Sequence, residues 1–166
     1  MRLLITIIFF ALFPFVSNAD EATETKSMID ALNRYRKELN DGQAEAAVSL
    51  TASFPDLPLE VVKNRTQDFV EAARSGRLKL WIFPTSVKVI EGCGALIIGD
   101  GENPYADDPA YMIKQAEGWK VFLELTNWNE PYFKLSEEQK KAFEQLQNHV
   151  AEQKKELRAA SVLKVE

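Results

Sequence analysis

Large apolar side chains recur at helical spacing early in the chain. Four of them follow the i, i+4, i+7, i+11 pattern that places residues on one face of a helix. They are Met28, Leu32, Tyr35 and Leu39. We expect this helix to begin at Ser27, whose hydroxyl can cap its N-terminus, and to end at Asn40, before Asp41 and Gly42. One amphipathic helix is therefore predicted at the start of the folded domain.

Two more helices are predicted before the pattern changes. An alanine-rich stretch at 43–52 gives a short helix, which ends ahead of Pro55 because a residue that precedes proline resists the α conformation. A longer helix covers 59–74 and ends at Ser75. Its predicted inner face consists of Val62, Phe69 and Ala73.

From Arg77 onward apolar residues alternate with a period of two, which indicates β-strands. The predicted strands cover 77–83, 86–91, 93–98, 111–116 and 119–127. The last two form a hairpin across Glu117 and Gly118, because glycine as the second residue of a two-residue turn favours tight hairpins. This order predicts an α+β domain in which N-terminal helices pack on a curved antiparallel sheet.

The last apolar pattern, beyond residue 128, is again helical. Ser136 and Gln139 have the spacing of a capping box, and a narrow apolar stripe follows them. The stripe consists of Phe143, Leu146, Val150 and Leu157. We therefore predict a linker and a C-terminal amphipathic helix over 129–166, which either lies over the sheet or projects as an oligomerisation arm.

Residues 1–19 have the organisation of a secretory signal peptide. Arg2 gives a positive start, and the stretch from Leu3 to Val16 is apolar and carries no charge. Ser17 and Ala19 are the small residues that a signal peptidase needs at the third and first positions before its cut. A retained membrane anchor is the alternative, but an apolar helix of this length spans only about 21 Å, less than the roughly 30 Å hydrocarbon core.

Cleavage is expected between Ala19 and Asp20, followed by a flexible leader over 20–26. The mature chain would then be periplasmic or secreted, with no stable membrane insertion after processing. The domain organisation predicted from these patterns is a signal peptide at 1–19, the leader, an α+β domain at 27–128, and the C-terminal segment.

Composition excludes several classes of site. The chain has 166 residues with one Cys and one His, too few for a Cys/His zinc site or an intrachain disulfide framework. Its net charge is -5, and it has no polybasic run to attract phosphate backbones, so nucleic acid is not an expected partner. Cys93 is expected to be buried, since free cysteine is among the most buried residue types.

Two stretches, together with the order of elements, resemble the NTF2-like superfamily. The first is Leu39-Asn40-Asp41-Gly42, followed by the alanine-rich residues 44–49. The second is the closing hairpin at 111–121, in which Trp119-Lys120 follows a glycine turn. The resemblance covers 27–128 and implies a cone-shaped α+β domain, as in small secreted NTF2-like proteins, and frequent homodimers formed across outer sheet faces. A cystatin-like domain is the rival fold, against which three helices before the sheet count.

The resemblance also raises the question of catalysis. Catalytic members of the superfamily use an acid–base pair inside the cone, commonly an Asp with a Tyr or His, because apolar walls raise the pKa of the carboxylate. Tyr35 is a weak catalytic candidate here, and its place in the apolar stripe favours a core tyrosine. No catalytic Asp maps onto a strand. A nucleophilic pair of Cys93 with His149 would require the last helix to fold back and the thiol to be exposed.

Acidic residues crowd the predicted loop near residues 99–109. The weak metal candidates there are Asp100, Glu102, Asp107 and Asp108. Their oxygens suit calcium, but the EF-hand spacing is absent and a solvated loop explains them. No metal site and no cofactor are predicted.

Aromatic residues are the predicted ligand-binding group, because aromatic anchors carry much of the affinity at binding surfaces. They are Trp81, Phe83, Trp128, Tyr132 and Phe133. The alternative is that these residues seat the C-terminal helix on the sheet.

The sequence therefore predicts an extracytoplasmic, non-enzymatic NTF2-like domain that binds a small apolar ligand or a protein partner in the cell envelope. Two alternatives remain open. One is an enzyme of the isomerase, dehydratase or hydrolase type that uses the cone. The other is an inhibitor or immunity-type protein that binds a basic partner through its acidic surface.

Overall fold

A computed structural model describes residues 18–75, 84–98, 109–123 and 133–162. These residues form four helices and four strands, an α+β fold. In chain order the elements are α1 (Asn18–Asn40), α2 (Ala44–Ser49), α3 (Leu59–Arg74), β1 (Pro84–Ile90), β2 (Cys93–Ile98), β3 (Ala110–Gln115), β4 (Gly118–Phe122) and α4 (Glu137–Val162). The strand predicted at 77–83 and the acidic loop lie outside the described residues.

Helix α1 confirms the predicted apolar stripe but is longer than expected. Its four stripe residues are at most 5% exposed. The helix begins at Asn18, so the start predicted at Ser27 is too late, and residues 20–26 are helical rather than the predicted flexible leader. Acidic residues near a helix N-terminus favour helix formation, and Glu24 also pairs with Lys114 of β3. The cleavage site predicted between Ala19 and Asp20 falls in the first turn of this helix.

Helix α1 ends where Asp41 and Gly42 predict. The amide of Gly42 donates to the carbonyl of Leu39 at 3.1 Å, and the amide of Gln43 donates to that of Glu38 at 2.8 Å. These two bonds form a Schellman motif, which needs a left-handed residue at the position of Gly42, whose φ is 72°.

Helix α3 has the predicted bounds, but its most buried face differs from the predicted one. Val62, Thr66 and Val70 are buried, whereas Phe69 and Ala73 are only partly buried. Thr66 can occupy the centre of this face because its hydroxyl donates to the carbonyl of Val62 at 2.8 Å. The buried threonine therefore carries no unpaired hydroxyl.

The four strands form an antiparallel sheet in the order β1-β2-β3-β4. Ile90 pairs with Cys93, and the two residues between them, Glu91 and Gly92, have φ values of 48° and 70°. A type I′ hairpin turn requires positive φ at both of these positions. Between β3 and β4, Gln115 pairs with Gly118, so the turn lies one residue earlier than predicted.

A short segment after α2 covers the outer edge of β4. The amide of Ala52 donates to the carbonyl of Val121 at 2.8 Å, and the amide of Val121 donates to that of Leu50 at 2.9 Å. The side-chain amide of Gln115 donates to the carbonyl of Ser53 at 2.8 Å. These bonds explain why α2 is shorter than predicted, since residues 50–53 pair with the sheet instead of continuing the helix.

Helices cover both faces of the sheet, and each face has its own core. The α1–α3 cluster lies between the first three helices and the sheet, and consists of Met28, Leu32, Tyr35, Leu39, Ala47, Val70, Leu96, Met112, Trp119 and Val121. The α4 cluster lies on the other face, and consists of Ala52, Cys93, Ala95, Ile97, Ile113, Phe122, Phe133, Leu135, Ala142, Phe143, Leu146 and Val150. Successive residues of β2 alternate between the two clusters, as the pleat of a strand requires.

Helix α4 begins with the hydrogen bonds of a capping box. The amide of Gln139 donates to the hydroxyl of Ser136 at 3.2 Å, and the amide of Ser136 donates to the side-chain oxygen of Gln139 at 3.0 Å. Phe143, Leu146 and Val150 are buried against the sheet. Of the two positions left open by the sequence, α4 therefore takes the one over the sheet. No helix in the described part of the chain is long and apolar enough to cross a membrane.

Candidate functional site

An apolar groove opens at the C-terminal end of β4, where the start of α3 meets the segment that covers the sheet edge. It is a shallow depression, whose empty space is about 320 Å³ when the part open to solvent is counted. Its lining consists of Ala52, Leu57, Val61, Val62, Arg65, Phe122, Leu123 and Phe133. Phe122 packs in the α4 cluster and Leu123 packs against the α1–α3 cluster, so the groove lies at the edge where the two cores meet.

Aromatic side chains make the floor of this groove rigid. The rings of Phe122 and Phe133 meet edge to face with centroids 4.9 Å apart, and Phe54 meets Phe133 in the same way at 5.3 Å. Phe143 of α4 contacts Phe122 at 5.1 Å. Such aromatic pairs add about 0.5 to 1.5 kcal/mol beyond their area burial. The floor is therefore fixed by the core.

Val61 makes the mouth of the groove apolar. Leu59 and Val61, in the first turn of α3, are 56% and 41% exposed, and they are the exposed large hydrophobic residues of the described chain. Val61 lines the groove, whereas Leu59 lies outside the lining. Both residues fall off the buried face of α3, so burial in the core does not account for them.

Arg65 is the charged side chain among the described residues of the lining. It lies one helical turn after Val61 and is exposed. Two acidic residues next to Leu57 and Val61 in the sequence are paired with lysines, since Lys63 contacts Glu60 at 3.3 Å and Lys134 contacts Asp56 at 2.6 Å. The groove thus combines apolar walls with a cationic rim.

Tyr35, the catalytic candidate, lies in the α1–α3 cluster rather than at the groove. Its hydroxyl is buried and has no hydrogen-bond partner among the described residues, and the same holds for the indole nitrogen of Trp119. Burial raises the pKa of the Tyr35 hydroxyl above its ordinary value, so the group stays neutral. The described residues therefore provide no carboxylate partner for an acid–base pair at Tyr35.

The structure does not bring Cys93 and His149 together as the nucleophilic pair considered above. Cys93 is fully buried, as expected, and burial raises the pKa of its thiol to about 12. The Nε2 of His149 instead lies 3.2 Å from the hydroxyl of Ser86, which joins α4 to β1. Ile90, the pairing partner of Cys93, lies four residues from Ser86 along β1. At about 3.3 Å per residue, Ser86 and Ile90 are about 13 Å apart.

The other predicted site residues divide into one that the structure describes and a larger group that it does not. Phe133 lines the groove and is also part of the α4 cluster. The residues outside the described ranges are Trp81, Phe83, Asp100, Glu102, Asp107, Asp108, Trp128 and Tyr132. Within the described ranges, no three His, Cys, Asp or Glu side chains are grouped so that they could hold a metal ion.

Sequence reasoning did not find the groove. Its walls come from residues far apart in the chain, such as Ala52, Val61 and Phe122, and tertiary packing alone brings them together. One local signal was present, since Leu59 and Val61 are apolar residues that do not fit the helical stripe of α3.

Comparisons with protein-family models, with curated proteins and with solved structures gave no match. The geometry of the groove and the chemistry of the side chains around it are therefore the basis for proposing a function.

Proposed function

We propose that this protein is an extracytoplasmic, non-enzymatic binding domain that takes a small apolar ligand into the groove at the end of β4. The observation that carries this proposal is an apolar lining with a rigid aromatic floor and an exposed apolar mouth. Binding sites for small molecules are concave and mostly apolar, with few polar groups at defined positions. The described lining residues fit that description, with Arg65 as the charged member among them.

The extracytoplasmic location and the NTF2-like fold are part of the same proposal. The location is supported by the sequence of residues 1–19, with its apolar stretch and small residues before the cut. The fold is supported by three helices that precede an antiparallel meander. A homodimer stays a prediction. Because helices cover both faces of the described sheet, we expect the contact between the two copies to lie on another surface.

The enzyme alternative lacks support in the described residues. It requires a carboxylate within hydrogen-bond reach of Tyr35, and no described side chain bonds that hydroxyl. Among the described lining residues, Arg65 is the ionisable one, and a guanidinium has no acceptor with which to act as a general base.

The groove is small, so we expect weak to moderate affinity. Each buried methylene contributes about 0.8 kcal/mol, and six of them give roughly 5 kcal/mol before the entropic cost of association. Since 5 kcal/mol corresponds to about 0.2 mM and the cost of association reduces it, we expect a dissociation constant of about 1 mM or weaker for an eight-carbon chain. Binding of this strength is measurable by NMR titration.

The test is a titration of the protein with 1-octanol, using two variants that differ in one respect. Val61→Lys places a charge in the lining, while Leu59→Lys places the same charge in the same turn but outside the lining. Both sites are exposed, so both variants should fold. We expect Val61→Lys to weaken octanol binding by about tenfold or more, since a buried charge is costly, and Leu59→Lys to change it less than twofold.

Two results would overturn the proposal. If the unmodified protein does not bind octanol, the groove is not a site for a small apolar ligand. An equal loss in both variants would indicate a flat apolar surface, suited to a protein partner, in place of a groove.

A further inference from the structure

The rim of the groove indicates which class of apolar ligand fits it. Arg65 follows Val61 by four residues and Val62 by three, so all three side chains lie on neighbouring positions of one side of α3. A ligand chain that lies against the two valines would end beside the guanidinium.

We propose that the ligand is a medium-chain fatty acid, whose aliphatic chain occupies the groove and whose carboxylate binds Arg65. This inference rests on the proposed function and adds the head group to it. Guanidinium is planar and presents a fork of N–H donors that matches a carboxylate. Among the described lining residues the charged side chain is Arg65, whose fork of donors suits a carboxylate.

Binding of a carboxylate by Arg65 does not require that the guanidinium have no other partner. Arg65 itself is not without a partner in the protein. A guanidinium has five N–H donors, enough to bind a carboxylate beside another group.

Exposure of Arg65 fits the amphiphilic character of such a ligand. The carboxylate would stay at the solvent-exposed rim and keep much of its hydration, while the chain would be removed from water. A neutral chain of the same length would also be removed from water, but it would carry no charged head group at the rim. Head-group discrimination by Arg65 is therefore the property to measure.

The experiment compares octanoate with 1-octanol on three proteins, by NMR titration at neutral pH and low salt. The proteins are the unmodified chain, Arg65→Gln and Lys63→Gln, where the last removes an exposed cation that does not line the groove. We expect octanoate to bind the unmodified protein about fivefold more tightly than octanol, in keeping with an exposed charge-assisted bond. Arg65→Gln should weaken octanoate binding more than octanol binding and so remove this preference, whereas Lys63→Gln should preserve it.

Failure of this inference and failure of the proposed function give different results. Equal binding of octanol and octanoate to the unmodified protein would overturn the head-group inference and leave the groove intact. Loss of the preference in both variants would also overturn it, because that result shows a general charge effect. Absence of binding by either compound would overturn the proposed function as well.

Discussion

The two faces of the sheet differ in what their cores can do. The α1–α3 cluster contains both buried polar atoms without a described partner, the Tyr35 hydroxyl and the Trp119 indole nitrogen. The α4 cluster is joined by phenylalanine rings and leads, through Phe122 and Phe133, into a groove. The residue that the family resemblance offers for catalysis is thus enclosed in one core, while the accessible apolar surface lies at the edge where the two cores meet.

Under the proposed function, this difference separates stability from ligand binding within one domain. A polar group sealed without a partner lowers stability and contacts no solute, whereas an apolar wall that reaches solvent provides free energy for binding. The following predictions test whether the two faces have these separate roles.

The largest effects should come from emptying either core. Phe143 and Leu32 are at most 2% exposed and represent the α4 and α1–α3 clusters. Phe143→Ala should lower the free energy of unfolding by about 3 to 5 kcal/mol and Leu32→Ala by about 2 to 5 kcal/mol, because each leaves a cavity. Urea unfolding measures both. A cost below about 1 kcal/mol for Phe143→Ala would mean that α4 is not part of the core.

A smaller effect is expected from tightening the α1–α3 face. A Cβ at Gly94 would overlap the sulfur of Met28 and lie 3.1 Å from its methyl carbon. Gly94→Ala should therefore cost about 1 to 3 kcal/mol, as overpacking does. The cost should fall when Met28 is also replaced by alanine, which a double-mutant cycle measures. An equal cost in both backgrounds would show that α1 does not press on β2 at this point.

The α4 face should show its burial through the pH dependence of Cys93. Burial raises the pKa of this thiol from 9.0 to about 12, so its folding contribution is constant below pH 9 and declines as the pH rises towards 12. At pH 10 the loss relative to Cys93→Ala should be about 1.4 kcal/mol, one pKa unit. Unfolding curves of both proteins at pH 8 and pH 10 test this. Equal pH dependence would place the thiol in contact with solvent.

The smallest effect concerns the hydroxyl of Tyr35. Tyr35→Phe removes a buried polar group that has no described partner, and should raise the free energy of unfolding by about 1 kcal/mol. Tyr111→Phe, at a half-buried position, serves as the control and should change stability by less than about 0.5 kcal/mol. If Tyr35→Phe is destabilising instead, the hydroxyl has a partner and the catalytic alternative regains a basis.

The elements that sequence patterns predicted well are those defined by local periodicity. The buried stripe of α1 follows from apolar spacing, and the bounds of α3 follow from Pro58 and Ser75. Thr66 was missed because its burial depends on a hydrogen bond to its own helix, which hydrophobicity does not report.

The site was beyond the reach of those patterns for a different reason. The contact of Ser86 with His149 and the meeting of Ala52, Val61 and Phe122 join residues that are distant along the chain. Only the packing of α3 and α4 around the sheet creates them. Of the aromatic residues predicted to bind ligand, Phe133 has a place in the groove, although its ring also completes the core.

We propose that the ligand binds in the groove at the end of β4 and not between α1 and the sheet. An amide chemical-shift map of the protein, titrated with 1-octanol, tests it most directly. We expect the largest chemical-shift changes at the amides of Ala52, Leu57, Val61 and Leu123, and small changes along the apolar stripe of α1. Large shifts centred on Leu32 and Tyr35, or no shifts at all, would contradict it.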